Sequence, residues 1–238
     1  MMTDGEKGAE KLARCAMCAD MCKYSCPTYL ATGRETLSPQ KMARLIVYNE
    51  RGFLEDDESF FDTMFQSAMC GSCMQHCIYD DYDLRRFIHQ ARVKAFANGV
   101  IPEDTKKRLE TFKKFGNPHG ERQVIEKGTG DLGYFISCSS YKDRELMKAT
   151  DKVLSKSGLK IRQFGGGDIC CGAPLYYAGD MDGFKQAALK MKAGIEKRRL
   201  RTVVVDCPTC LKMMTQTYRE VRVNPGVELI HTTQFIGS

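Results

Sequence analysis

Twelve cysteines, gathered in three tight groups with none left over, constrain this chain more than any other feature. The first group is Cys15-x2-Cys18-x3-Cys22-x3-Cys26-Pro27. The second is Cys70-x2-Cys73-x3-Cys77. The third is Cys138, the triplet Cys170-Cys171-Gly172, and Cys207-Pro208-x-Cys210. Thiolate is a soft ligand, and cysteines three or four residues apart on a turn converge readily on one centre. The spacing points to iron–sulfur clusters in all three groups. Disulfides suit small secreted chains, whereas this N-terminus, Met1-Met2-Thr3-Asp4-Gly5-Glu6-Lys7, has no apolar signal region. Paired Cys-x2-Cys also suits structural zinc, which is the competing metal.

A length of 238 residues allows one or two domains, each able to bury a core. No run approaches 18 consecutive apolar residues, so no direct membrane span is expected, and the chain reads as cytoplasmic. The formal charge of +6 omits the clusters, which are anionic once thiolates hold them. The basic residues collect at Lys106-Lys107-Arg108, Lys113-Lys114 and Lys197-Arg198-Arg199 with Arg201. They read as solvated helix faces, or more sharply as a dock for an acidic redox partner. No nucleic-acid motif accompanies them, so no nucleic-acid partner is expected.

Residues 1–120 read as helical. Ser38-Pro39 starts a helix with Met42, Leu45, Ile46 and Asn49 at helical spacing, closed by Gly52. Asp56-Asp57-Glu58 opens a second, through Phe60, Phe61, Met64 and Phe65. Leu84, Phe87, Ile88, Ala91 and Ala95 form an apolar stripe. Another helix begins at Pro102 and ends at Gly116-Asn117-Pro118. Residues 117–130 are rich in turn formers, and 121–130 reads as a linker. Over 131–238, strands at Leu132–Ser137, Leu159–Phe164 and Thr202–Val205 alternate with helices at about 143–157, 184–195 and after Pro208. That alternation implies an α/β domain with a parallel sheet. The third cysteine group then falls at strand ends, where open α/β sheets place their sites. Gly128-Thr-Gly130-Asp-Leu-Gly133 spells a dinucleotide fingerprint but precedes its strand instead of following one, so it is discounted. Gly165-Gly166-Gly167 reads as a flexible approach to Cys170. With no flavin or nicotinamide signature, the electrons would come from another subunit.

In the bacterial ferredoxin run the fourth cysteine serves the other cluster. Applied here, Cys26, Cys70, Cys73 and Cys77 would hold one complete cubane. Cys15, Cys18 and Cys22 would hold another that lacks a ligand, giving a site for a three-iron cluster or a non-cysteine donor. The absent ligand should lie four residues after Cys77, at Asp81; His76 or a partner are further candidates.

Cys26-Pro27-Thr28-Tyr29 followed by Ser38-Pro39 resembles the cluster domain of heterodisulfide reductase C subunits and glycolate oxidase iron–sulfur subunits. Gly116-Asn117-Pro118-His119-Gly120 resembles the segment closing that domain. The third group resembles the cysteine-rich CCG domain of heterodisulfide reductase B and D subunits. The resemblance implies a helical, two-motif ferredoxin-like domain over 1–120 and a CCG domain over 131–238. It implies that Cys138, Cys170, Cys171, Cys207 and Cys210 ligate a noncubane four-iron cluster that cleaves a disulfide reductively. It implies an oxidoreductase subunit passing electrons from two ferredoxin-type clusters to the CCG cluster, for a thiol or disulfide substrate or a partner. Its partners would be other redox subunits, among them a flavoprotein donor, and either a second CCG subunit or a second copy of this chain. One CCG motif is present where the B and D subunits usually have two. The competing reading is a non-catalytic relay or scaffold with structural zinc in the CCG domain.

Overall fold

The computed structural model describes residues 4–79, 82–167 and 169–237, with side chains described from Gly8 onward. It divides into two compact units, Met1–Glu103 and Asp104–Ser238.

The described part of the first unit is helical. Helix Pro39–Glu50 starts as the sequence reading expects: proline occupies the first turn, and the Ser38 hydroxyl accepts from the Lys41 N–H at 3.4 Å. Asp57 caps Glu58–Phe65, accepting from the Phe60 N–H at 2.7 Å, and Asp83 caps Leu84–Ala97. Helix Pro39–Glu50 packs on Asp4–Ala16 and on Leu84–Ala97, which also meets Glu58–Phe65. Leu12, Leu37, Ala43, Phe61, Met64 and Leu84 are the fully buried centre of this bundle.

The second unit opens with helix Glu103–Phe115 and holds a five-stranded sheet: β1 (Val124–Lys127), β2 (Leu132–Ile136), β3 (Ile161–Gly166), β4 (Thr202–Val205) and β5 (Glu228–His231). The spatial order is β1-β3-β2-β4-β5. Strands β3, β2, β4 and β5 run parallel, and β1 lies antiparallel on β3. The sheet is therefore mixed, a correction to the all-parallel expectation. β1 falls inside the segment read as a linker, where Pro118, Gly120, Gly128 and Gly130 obscure the short β-branched start Val124-Ile125. Short β5 gives an equally weak signal. The discounted fingerprint is spelled by a turn and by the opening of β2, where no helix begins.

Gly165-Gly166 is a second correction: these glycines are not a flexible approach. They sit within β3 between β1 and β2, with φ of 140° and 86°. A Cβ at Gly165 would lie 2.3 Å from the Ile136 carbonyl oxygen, so only glycine lets these strands approach.

Asn117, fully buried, ties the entry of this unit to the end of β3. Its Nδ2 donates to the carbonyls of Glu121 (2.8 Å) and Gly167 (2.9 Å), and its Oδ1 accepts from the N–H groups of His119 and Glu121. Alanine there would strand several buried backbone groups. Asn117→Ala is expected to lower the unfolding free energy by about 2–4 kcal/mol, measured by urea denaturation, and Asn117→Asp should not spare it, because a buried carboxylate oxygen would face the Glu121 and Gly167 carbonyls.

Candidate metal centres

In the second unit the topology places all five cysteines at one edge of the sheet. Cys138 follows β2, Cys170-Cys171 follow β3, and Cys207 and Cys210 follow β4. These three strands are neighbours, and each cysteine-bearing turn runs into a helix: Cys138–Lys142, Ala173–Ala178 and Pro208–Thr215. This is the carboxyl edge of the parallel strands, as the sequence pattern implies. Gly172 turns left-handed at φ 78°, and a Cβ there would meet Phe184 and Ala187 at 3.0 Å. The third letter of the CCG triplet is thus set by backbone geometry and by crowding.

The sulfurs form a connected series. Cys210 Sγ donates to Cys171 Sγ at 3.2 Å, and electrostatic coupling links Cys138 to Cys170, Cys170 to Cys171, and Cys210 to Cys207. Cys170, Cys171 and Cys210 are buried; Cys138 and Cys207 are half-buried. The series separates donors from acceptors. Cys171 is lowered by the thiols of Cys170 and Cys210. Cys207 is lowered to about 5 by Cys210, with the N–H groups of Cys210 and Thr209 at the helix start adding to it. Cys138 is raised by donating to Cys170 and by burial, and Cys210 by donating to Cys171 and Cys207.

Sequence reasoning missed the groups that hold these turns. The Asp206 carboxylate accepts from the Tyr134 hydroxyl at 2.8 Å and from the Ser137 N–H at 3.3 Å. One carboxylate therefore locks the end of β4 to the end of β2, next to Cys207 and Cys138. Tyr218, fully buried, donates to the Cys171 carbonyl at 3.1 Å. Only the position of Asp206 next to Cys207 hinted at them, and nothing marked it out from an ordinary surface acid.

In the first unit, Cys26, Cys70 and Cys73 line one cavity together with Ser67, Arg85 and Ile88. Cys77 is not among the residues lining it. The Cys15 thiol is pushed up to about 12 by burial, opposed by Tyr82, with repulsion from Cys22, Cys77 and Cys18 adding. Burial likewise raises Cys22 to about 12, aided by Asp20, and Cys73 to about 12, aided by Cys70, Cys15 and Cys26. Placing Cys77 by Cys15 departs from the expected pairing, which put it with Cys26, Cys70 and Cys73. His76 is exposed at the end of a short helix, and Asp81 lies outside the described residues.

Asp20 accommodates the extra residue of Cys18-x3-Cys22. It turns left-handed at φ 62°, and its buried carboxylate accepts from the Ser38 hydroxyl at 2.6 Å and the Gln40 N–H at 3.3 Å. The Ala16 carbonyl accepts from Gln40 and from Arg44 Nε. The helix that starts at Ser38-Pro39 therefore anchors the first cysteine loop.

Among the described residues no three Cys, His, Asp or Glu side chains converge on a point suited to a single ion. The fit to iron–sulfur clusters rests on all-thiol donor sets and on Tyr82. Tyr82 leans toward Cys15 and lowers that thiol, yet the contact falls short of a hydrogen bond, and the buried hydroxyl has no partner among the described residues. A cluster sulfur would be a suitable acceptor for it. Of the basic groups, Arg198 is structural: it pairs with Glu126 and stacks 4.8 Å over the Phe164 ring.

Comparison with known proteins matches both cysteine-bearing segments. Residues 11–80 match the 4Fe-4S dicluster domain, and residues 132–215 match the cysteine-rich CCG domain. The chain is similar to the D subunits of the dihydromethanophenazine:CoB–CoM heterodisulfide reductases of Methanosarcina barkeri (24% identity) and Methanosarcina mazei (22%). Each match covers 95% of this chain and 62% of the relative, so the chain spans less than two thirds of the length of those relatives. An uncharacterized iron–sulfur protein of Methanocaldococcus jannaschii is 22% identical over 68% of this chain and 35% of its own length. No solved structure matches significantly. Among the described residues no helix is long and apolar enough to cross a membrane.

In the cluster-free chain, Cys207 should alkylate with iodoacetamide well before Cys138 at pH 6–7, read by peptide mass spectrometry. The sign follows from its depressed value. Its thiolate stabilises the cluster-free fold fully above the ordinary thiol pKa of about 8.5. That contribution is lost as pH falls through about 5.

Proposed function

We propose that this heterodisulfide-reductase-like iron–sulfur protein is an electron-transfer component of an oxidoreductase complex. Two ferredoxin-type clusters in the first unit pass electrons to a four-iron cluster held by Cys138, Cys170, Cys171, Cys207 and Cys210. The second unit delivers them to a thiol or disulfide substrate or to a partner. The observation that carries this reading is the delivery of five sulfurs to one sheet edge by three adjacent parallel strands.

Such a cluster, when bound, would supply electrons one at a time, and reduction of a disulfide to two thiols would draw two of them together with two protons. The chain's own residues prepare the site. Asp206 fixes the two outer turns through Tyr134 and Ser137, and Tyr218 holds the Cys171 backbone. Burial of Cys170, Cys171 and Cys210 keeps water from the inner sulfurs, while half-buried Cys138 and Cys207 mark the accessible side. The thiols of Cys138, Cys170 and Cys210 lose their protons as metal binds, so loading is favoured by rising pH.

The relatives are named as reductase subunits, and this chain carries one CCG motif. A sister subunit or a second copy of this chain would complete the substrate site, and a flavoprotein partner would supply the electrons.

An anaerobic preparation should contain about eight to twelve iron atoms and matching sulfide. Iron, sulfide and zinc analysis together with EPR checks this. Stoichiometric zinc with little iron would favour the scaffold reading instead. Chromatography with and without co-purifying proteins tests the assembly, which a monomer that reduces disulfides unaided would contradict.

A further inference from the structure

The second cysteine motif can be read in two registers. Starting at Cys70, it copies the first motif, Cys-x2-Cys-x3-Cys, and then needs a fourth ligand at Asp81. Starting at Ser67, it reads Ser67-x2-Cys70-x2-Cys73-x3-Cys77. That is the spacing of the bacterial ferredoxin run, with the first cysteine replaced by serine and the last one kept. The registers differ in where Cys77 belongs and in which cluster lacks a thiolate.

The cavity decides between them. Cys26, Cys70 and Cys73 line it, and so does Ser67, whereas Cys77 does not. Cys77 lies outside that cavity, and its charge acts on Cys15 and on the buried Tyr82, on which Cys73 acts as well. Under the exchange of fourth ligands between motifs, Cys26 serves the second set and Cys77 the first, as the cavity indicates.

The loop that carries Ser67 is built for a defined geometry. The Ser67 hydroxyl accepts from the Met69 N–H at 3.2 Å, and its carbonyl accepts from Arg92 Nη2 at 2.6 Å. Buried Arg92 also donates to the carbonyls of Met64 and Phe65, clamping the end of helix Glu58–Phe65 to this loop. Met69 and Gly71 are both left-handed, at φ 53° and 82°, on either side of Cys70. A non-glycine residue held in that region is strained and persists where its surroundings dictate it.

Resting on the cluster reading above, we infer that Cys77 completes a four-cysteine set with Cys15, Cys18 and Cys22. Cys26, Cys70 and Cys73 then form a three-cysteine set in which Ser67 stands at the fourth position. One iron of the second cluster carries no thiolate. A hydroxyl or water oxygen is a harder and weaker ligand for it than a thiolate, so this iron exchanges. The exchange balances. Ferricyanide takes one electron from the cluster, and one ferrous ion leaves as its bonds to sulfide break. Three irons and four sulfides remain on Cys26, Cys70 and Cys73.

The test uses the full chain, loaded anaerobically and oxidised with limited ferricyanide. The wild type should give about one three-iron EPR signal per chain, removed again by ferrous iron with a reductant. Ser67→Cys should lower that signal by about tenfold or more while iron content stays full. Adding Cys77→Ser to that variant should bring the signal back from the other site. Ser67→Ala removes only the hydroxyl and should keep the signal. Should Ser67→Cys fail to load, Asp81→Cys decides, because only the other register needs a fourth ligand at that position. A full-iron Asp81→Cys chain that keeps the wild-type three-iron signal supports the assignment. One whose signal falls by about tenfold overturns it. A Ser67→Cys chain with full iron and the wild-type signal overturns this assignment alone. A wild-type chain holding zinc in place of iron overturns it together with the cluster reading.

Discussion

Crowded thiols are the constraint on which both units depend. A buried thiol resists deprotonation because its charge is poorly solvated, and neighbouring thiols resist it further. Burial dominates at Cys15, Cys22 and Cys73, with neighbouring sulfurs adding to it. In the second unit the conflict is partitioned, with Cys171 and Cys207 accepting what Cys170 and Cys210 donate. Cationic iron answers both arrangements, since it replaces several protons at once and lets the sulfurs share one centre. The scaffolding around them is correspondingly rigid, with capped helix starts, left-handed turns and buried tyrosines bonded to backbone or carboxylate.

The two units reach this end by opposite routes. The first draws its sulfurs from a helix end, short helical turns and the loops that join them, and fixes these segments by nearby helices: Asp20 and Ala16 on Pro39–Glu50, and Ser67 by way of Arg92 on Leu84–Ala97. The second draws them from the ends of strands whose mutual distance is set by sheet hydrogen bonding. Asp206 adds a single side-chain tie between two of those ends.

Much of this was legible in the residues. The starts at Ser38-Pro39 and Asp57, strand β4 and the placement of the third group at strand ends follow from capping chemistry and periodicity. Strand β1 did not, because four residues between turn formers carry too little pattern, and β5 is equally short. The glycines of β3 misled because close approach of neighbouring strands and chain flexibility look the same in one dimension. The ligand register was hidden for a different reason. A motif search keyed on cysteine starts at Cys70 and passes over the serine three residues earlier, and only the shared cavity restores Ser67 to view. Asp20 and Asp206 each lie within two residues of a cysteine, but nothing in the spacing distinguishes them from ordinary surface acids.

The strand order β1-β3-β2-β4-β5 carries a consequence for biogenesis. On a ribosome, Cys15, Cys18, Cys22 and Cys26 emerge almost together and can meet iron early. The five sulfurs of the second unit span residues 138 to 210, and their geometry exists only after β4 has entered the sheet on the far side of β2 from β3. Pairing over such separations is slow and comes late in synthesis. Any centre at the sheet edge can therefore be filled only after β4 has joined the sheet.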